Sequence, residues 1–203
     1  MGRFAELLAH DGVAEDLELR SRFGFMAFHG GNLEVGTDVV AALAAGEAGA
    51  SLYAVRQPLG LRWHVPSIEV TPDDSPSLAA FLDHVEVAVA LHGYGRDGMW
   101  TTLLAGGSNR PLATHVAEHL RATLPEGYDV VDDLEAIPGE LRGVHRANPV
   151  NRCPLAGVQL ELPPRVRNRT PFWADLPDGE PIPHIADLVA GLAAAAMSWP
   201  VRD

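Results

Sequence analysis

Two histidines and two glutamates hold the chemistry that can be read from this chain. The stretch Phe25-Met26-Ala27-Phe28-His29-Gly30-Gly31-Asn32-Leu33-Glu34 is an apolar run ending in a histidine, two glycines and a carboxylate. The run reads as a buried strand, the glycine pair as a turn too tight for side chains, and Glu34 as the opening of the next helical segment. His29 and Glu34 could therefore share one ion. An imidazole and a carboxylate are donors that a catalytic zinc takes from protein, with a position left open for water. Val89-Ala90-Leu91-His92-Gly93-Tyr94-Gly95 repeats the pattern of buried strand, histidine and glycine. In an open α/β sheet, ligands bind beyond the carboxyl ends of the strands, so both imidazoles point toward one region. His29, Glu34 and His92 together make the two-histidine, one-carboxylate set of metal-dependent peptidases.

Glu161, in Gly157-Val158-Gln159-Leu160-Glu161-Leu162, supports two readings. Alternation puts Gln159 and Glu161 on one face, which could simply be the solvent face. A carboxylate near the end of a strand could instead be a general base that takes a proton from metal-bound water and passes it to the leaving amine. His115 and His119 lie one helical turn apart and could chelate a metal, but no strand-end carboxylate accompanies them. His64, His84, His145 and His184 stand alone and receive no role.

Strands alternating with helical stretches must position these groups. Strands are predicted over 22–28, 52–56, 85–91, 99–104 and 157–162, and helices over 35–48, 77–84, 109–124 and 185–197. Segments 138–154 and 168–183 lack periodicity and read as loops. This order predicts an α/β fold, a mixed and mostly parallel sheet flanked by helices. With 203 residues, 47% of them hydrophobic and 21% charged, one domain spanning 1–203 is expected.

A formal charge of -12 argues against nucleic acid or an anionic membrane as partner. All 15 basic residues other than histidine are arginines, so any fixed cation in the site is a planar two-pronged donor suited to carboxylates. Cys153 is the only cysteine, which excludes an internal disulfide and a cysteine-based zinc site. No secretory signal or membrane-spanning run is apparent, and a reducing, cytoplasmic setting is expected.

Several separated motifs occur in one order: His29-Gly-Gly-Asn-Leu-Glu34 followed by Thr37, His92-Gly93, Gly106-Gly107, and Asn148-Pro149-Val150-Asn151-Arg152 leading into the Glu161 strand. From residue 23 to about 165 the chain resembles the zinc-dependent poly-γ-glutamate hydrolase family. The resemblance implies a three-layer fold similar to zinc carboxypeptidases and hydrolysis of γ-linked glutamate chains. It further implies one zinc on His29, Glu34 and His92, with Glu161 as the catalytic carboxylate. Asn151-Arg152 resembles the Asn-Arg carboxylate clamp of zinc carboxypeptidases, although here the pair follows the last proposed ligand. Arg110, opening a helix after a glycine turn, is the second candidate for the substrate carboxylate. A metal-dependent amidase or deacylase for a small acyl-amino acid would use the same constellation, and a non-catalytic binding module would be expected to have lost one of the four residues. The charge of -12 would repel a dense polyanion at long range, which favours short γ-glutamyl peptides over the polymer.

Overall fold

Val87-Ala88-Val89-Ala90-Leu91 is apolar on both faces, as a strand must be when helices cover both sides of its sheet. The computed structural model describes residues 2–167 and 183–200, and it places this segment at the centre of the sheet. The strands are β1 (Ala14–Glu18), β2 (Phe23–Gly31), β3 (Ser51–Gln57), β4 (Val87–Gly93), β5 (Thr102–Ala105), β6 (Asp129–Val131) and β7 (Val158–Leu162). They line up in the order β1-β3-β2-β4-β7-β5-β6. β3, β2, β4 and β7 run parallel, while β1 is antiparallel to β3. β5, paired in parallel with β6, is antiparallel to β7. The sheet is therefore mixed and mostly parallel.

The helices are α1 (Arg3–Leu8), α2 (Thr37–Ala48), α3 (Pro76–His84), α4 (Arg110–Thr123) and α5 (Pro183–Ser198). On one face Phe25, Ala27, Val89, Leu91, Leu160 and Leu162 pack against α2, α4 and α5. On the other, Met26, Phe28, Ala88 and Ala90 pack with Phe4 and Leu7 of α1 and Leu78 and Phe81 of α3. The result is a three-layer α/β/α arrangement. Ser75 caps α3 by accepting from the Leu78 amide at 2.9 Å, and Asn109 caps α4 by accepting from the Leu112 amide at 3.0 Å.

From β2 the chain leaves through α2 to β3 on one side, and from β4 it leaves toward β5 on the other. The crevice between the carboxyl ends of these two neighbouring strands is thus a topological switch point, where α/β sheets bind ligands.

The helix expected over 35–48 starts at Thr37, so Glu34 lies in the preceding turn and does not open the helix. The strand expected over 99–104 is Thr102–Ala105. α1, β1 and β6 were not expected: β1 carries three acidic residues on an edge strand and β6 has only 3 residues, so neither shows a hydrophobic period. The loop over 138–154 is ordered around short 3₁₀ turns at Gly139–Leu141 and Pro149–Arg152. The loop expected over 168–183 lies outside the described residues except for Pro183, which begins α5. No helix among the described residues is long and apolar enough to cross a membrane.

Candidate metal centre

β2 delivers His29 to the site by breaking its own alternation. Ala27 pairs with Ala54 and Gly30 with Arg56, so three residues of β2 advance against two of β3, which is a bulge. In a regular strand Phe28 and His29 would face opposite sides. Here Phe28 belongs to the α1/α3 face, yet its ring packs edge-on against both His29 and His92, at 4.9 and 4.8 Å between centroids. The His29 and His92 rings lie 5.0 Å apart. After the bulge Gly31 adopts a left-handed φ of 69°, and a Cβ there would lie 2.3 Å from the Gln57 carbonyl oxygen. The chain then turns back, with the Glu34 amide donating to the His29 carbonyl at 3.0 Å, and this carries the Glu34 carboxylate to the imidazoles.

The three side chains converge on one point. Nδ1 of His29 is 3.0 Å from Oε1 of Glu34, and Nδ1 of His92 is 3.4 Å from Oε2. Oε2 also accepts from the Gly93 amide at 2.9 Å. Among the described residues these three form the one group whose ligand atoms all lie within 4.8 Å of one another. His29 and His92 are 1% and 4% exposed.

His29 Nε2 lies 2.8 Å from the Val65 carbonyl oxygen, which can only accept, so the proton sits on Nε2. If the ring is neutral, its Nδ1 lone pair faces a carboxylate oxygen, an arrangement that is repulsive unless a proton or a metal cation stands between them. Two imidazole nitrogens and one carboxylate on a shared centre are what a zinc site with an open position requires, and the donor set fits. The carboxylate is anionic: burial alone would raise its pKa, but the charges and hydrogen bonds of His29 and His92 hold Glu34 well below the usual range. For His92, burial works against the charged form, and Glu34 outweighs it and moves the imidazole upward.

Glu161 lies directly across from His92 in the β4–β7 pairing, so the two side chains share a face. The face that Gln159 and Glu161 share is not the solvent face, because Glu161 is only 4% exposed. Burial pushes its pKa up and Glu34 adds to this, with the charge of His92 opposing them. Asn148 donates to Gln159 Oε1 at 2.6 Å, which fixes the amide so that Nε2 donates to Glu161 Oε1 at 2.8 Å. One Glu161 oxygen is thereby held. All four groups line a cavity of about 680 Å³, together with His64, Arg62, Tyr94 and His145 from surrounding loops.

Arg167 braces the three segments that bear the site. Its Nε donates to the Leu162 carbonyl at 3.1 Å, Nη1 to Val35 at 3.1 Å and Nη2 to Tyr94 at 3.0 Å. Those carbonyls lie one residue after Glu161, one after Glu34 and two after His92. The guanidinium rests on Gly93, where a Cβ would be 2.5 Å from Cζ.

The structure brings together His29, Glu34, His92 and Glu161, and it does not bring the expected carboxylate binders to them. Arg152 reaches Thr71 Oγ1 at 3.4 Å and lines a separate surface hollow with Pro72, Asp73 and Asp83. Arg110 donates to the carbonyls of Ala105, Gly107 and Asp132, which commits its guanidinium inside the fold. The Asn151 side chain braces the loop behind His145: its amide donates to the Gly143 and His145 carbonyls at 2.7 and 3.1 Å, and its oxygen accepts from Ser108. Sequence reasoning missed His64, whose ring is 4.9 Å from that of His29 and whose pKa is lowered by burial and then by His29. It also missed Arg62, Gln159, Asn148 and Arg167. Gln159 had a signal in sharing a face with Glu161, and Asn148 in opening the motif that leads into the Glu161 strand.

A largely buried set of candidate metal donors beside a buried carboxylate, at the switch point of a three-layer α/β fold, is an arrangement suited to a hydrolase. The chain belongs to the poly-gamma-glutamate hydrolase family, whose model matches residues 3–174. Among solved structures, a bacteriophage poly-gamma-glutamate hydrolase is 26% identical with a TM-score of 0.75, covering 94% of this chain and 91% of its own. The zinc-free form of the protein YNDL is 20% identical and also scores 0.75, covering 92% and 90%, so it shares the fold. A metallo-carboxypeptidase from Burkholderia cenocepacia scores 0.43 at 10% identity over 95% of this chain and 66% of its own, too slight a likeness to argue from. No curated protein matches the sequence significantly.

Proposed function

We propose that the protein is a zinc hydrolase of amide bonds in γ-linked glutamate peptides, with His29, Glu34 and His92 as metal ligands and Glu161 as general base. Zinc bound there would supply a water acidified to a pKa near 7 and a Lewis acid for the carbonyl. The chain's own residues do the rest. Val65 and Phe28 fix the His29 ring with Nδ1 inward, and the Gly93 amide holds one Glu34 oxygen in place. Glu161, with Oε1 tied to Gln159, has Oε2 to take the water's proton as the carbon–oxygen bond forms and to return it to the nitrogen as the amide breaks. Its raised pKa makes it a stronger base toward the water's proton, and a pKa moved toward neutrality keeps both protonation states accessible through the cycle.

The observation that carries this reading is the register placing Glu161 across from His92, a base on the same face as the ligands. Short γ-glutamyl peptides suit the chain better than long polymer, because a formal charge of -12 repels a polyanion at long range. Metal analysis with product sizing on poly-γ-glutamate and short γ-glutamyl peptides tests the proposal. The wild type is expected to hold one zinc and cleave, and Glu161→Gln to keep zinc and lose at least about a hundredfold in rate, the lower end of general-base contributions. Cleavage at full rate by Glu161→Gln would remove Glu161 as the base, and no stoichiometric metal in the wild type would end the zinc reading.

A further inference from the structure

Arg62 is the one arginine among the described residues lining the main cavity. Its guanidinium is exposed and has no hydrogen-bond or ion-pair partner among those residues, although acidic residues outnumber basic ones 27 to 15 in the chain. Other arginines are committed: Arg3, Arg56 and Arg142 to carboxylates, Arg110 and Arg167 to carbonyls.

The backbone around Arg62 is held on both sides. Asn32 donates to the Leu61 carbonyl at 3.1 Å, and the Gln57 amide side chain grips Trp63 twice, accepting from its N–H and donating to its carbonyl, both at 2.8 Å. Asn32 also belongs to the turn between His29 and Glu34, and its own amide donates to the Gln57 carbonyl at 3.0 Å. The Arg62 segment is therefore braced against the turn that carries two of the metal ligands. Arg62 also lies on the wall shared by the main cavity and an adjoining hollow of about 260 Å³ formed with Leu33, Trp100 and Pro164.

Resting on the reading of the site as a γ-glutamyl hydrolase, we infer that Arg62 binds the α-carboxylate adjoining the scissile amide, with the next residue of the substrate in the adjoining hollow. In a γ-linked chain the carbon attached to each amide nitrogen bears a free carboxylate, so an anion lies two bonds from the nitrogen that leaves. In an α-linked chain the carboxylate is at the end of a side chain. A planar fork carried on a braced backbone segment at the cavity wall distinguishes the two by position, and this makes Arg62 a linkage-specificity residue.

Binding can be separated from turnover in the Glu161→Gln protein. Calorimetry with a short γ-linked glutamate oligomer should show that adding Arg62→Ala weakens binding roughly ten- to hundredfold, the range for a lost hydrogen bond to a charged group. Arg62→Lys should recover only part of this. An oligomer with α-carboxamides in place of α-carboxylates should bind both proteins equally weakly. Equal affinity of the two proteins for the carboxylate oligomer, equal losses on both ligands, or no binding by the parent would each overturn the role. If the wild type fails to cleave but the Arg62 effect on binding is present, the hydrolase reading fails and the carboxylate site stands.

Discussion

Replacing Arg167 should loosen the proposed metal centre without touching any of its proposed ligands. In Arg167→Met three hydrogen bonds to carbonyls are lost, at Leu162, Val35 and Tyr94. At about 1.5 kcal/mol each, the low end for bonds involving a charged group, their loss removes about 4–5 kcal/mol. For a chain of this size that corresponds to a fall in Tm of roughly 10–15 °C. The more telling quantity is zinc affinity. Because the three carbonyls follow Glu34, His92 and Glu161 so closely, freeing them should let the ligands drift, and outer partners of metal ligands are worth about 10–100-fold in affinity. Arg167→Lys keeps the charge, but one ammonium cannot span three carbonyls, so it should fall between wild type and Met. Zinc affinity is measured by competition with a chromophoric chelator at a temperature where each metal-free variant is folded, and Tm is measured on the metal-free protein. A large fall in Tm with unchanged zinc affinity in both variants would show that Arg167 only stabilises the fold, and the positioning argument would be refuted.

Two further outcomes follow from the geometry. Gly31→Ala forces a side chain into the left-handed region and against the Gln57 backbone, so the metal-free protein should lose at least about 1–2 kcal/mol from conformation alone, with zinc affinity falling in parallel; unchanged affinity, read by the same competition, would uncouple the bulge from the site. Cys153 is buried and its thiol is pushed up to about 12 by burial, so thiolate is scarce at pH 8. Iodoacetamide should leave the native protein unmodified and add one label in denaturant, as read by intact-mass spectrometry, and fast native labelling would contradict the buried placement.

What could be read from the sequence was what short-range pattern encodes. His29 and Glu34 lie close along the chain, and both histidines end apolar runs, so the three residues that the fold brings together could be picked out before the strand order was known. The direction of Glu161 was not. Period-two alternation says which residues share a face but not which face meets water, and that is decided by the Ala88-Ala90-His92 edge of β4 lying beside Gln159 and Glu161. The bulge in β2 was equally hidden, since it shows only in pairing with β3. Arg62 and Arg167 lie in segments without periodicity, and what they face is set by distant parts of the chain: Arg62 lines the cavity beside Glu161, and Arg167 bonds a carbonyl 132 positions earlier. The carboxylate-binding role was expected of Arg152 and Arg110 because their neighbours formed recognisable motifs, while the cavity wall is built by a loop with none.

The register between β4 and β7 ties the proposed base to the proposed metal ligands more firmly than any single hydrogen bond. A slip of one residue in β7 would move Glu161 to the face that packs on α2, α4 and α5 and bring Leu160 or Leu162 against His92. That alternative would bury a carboxylate among Leu91, Val116 and Leu120 and expose leucines to the cavity, so the same hydrophobic pattern that builds the core also excludes it. The two antiparallel pairs on the other edge of β7, Leu104 with Glu161 and Ala105 with Leu160, hold the register from that side as well. The location of Glu161 is therefore a consequence of core packing, and core substitutions in β7 that permit slippage should abolish activity before they abolish folding.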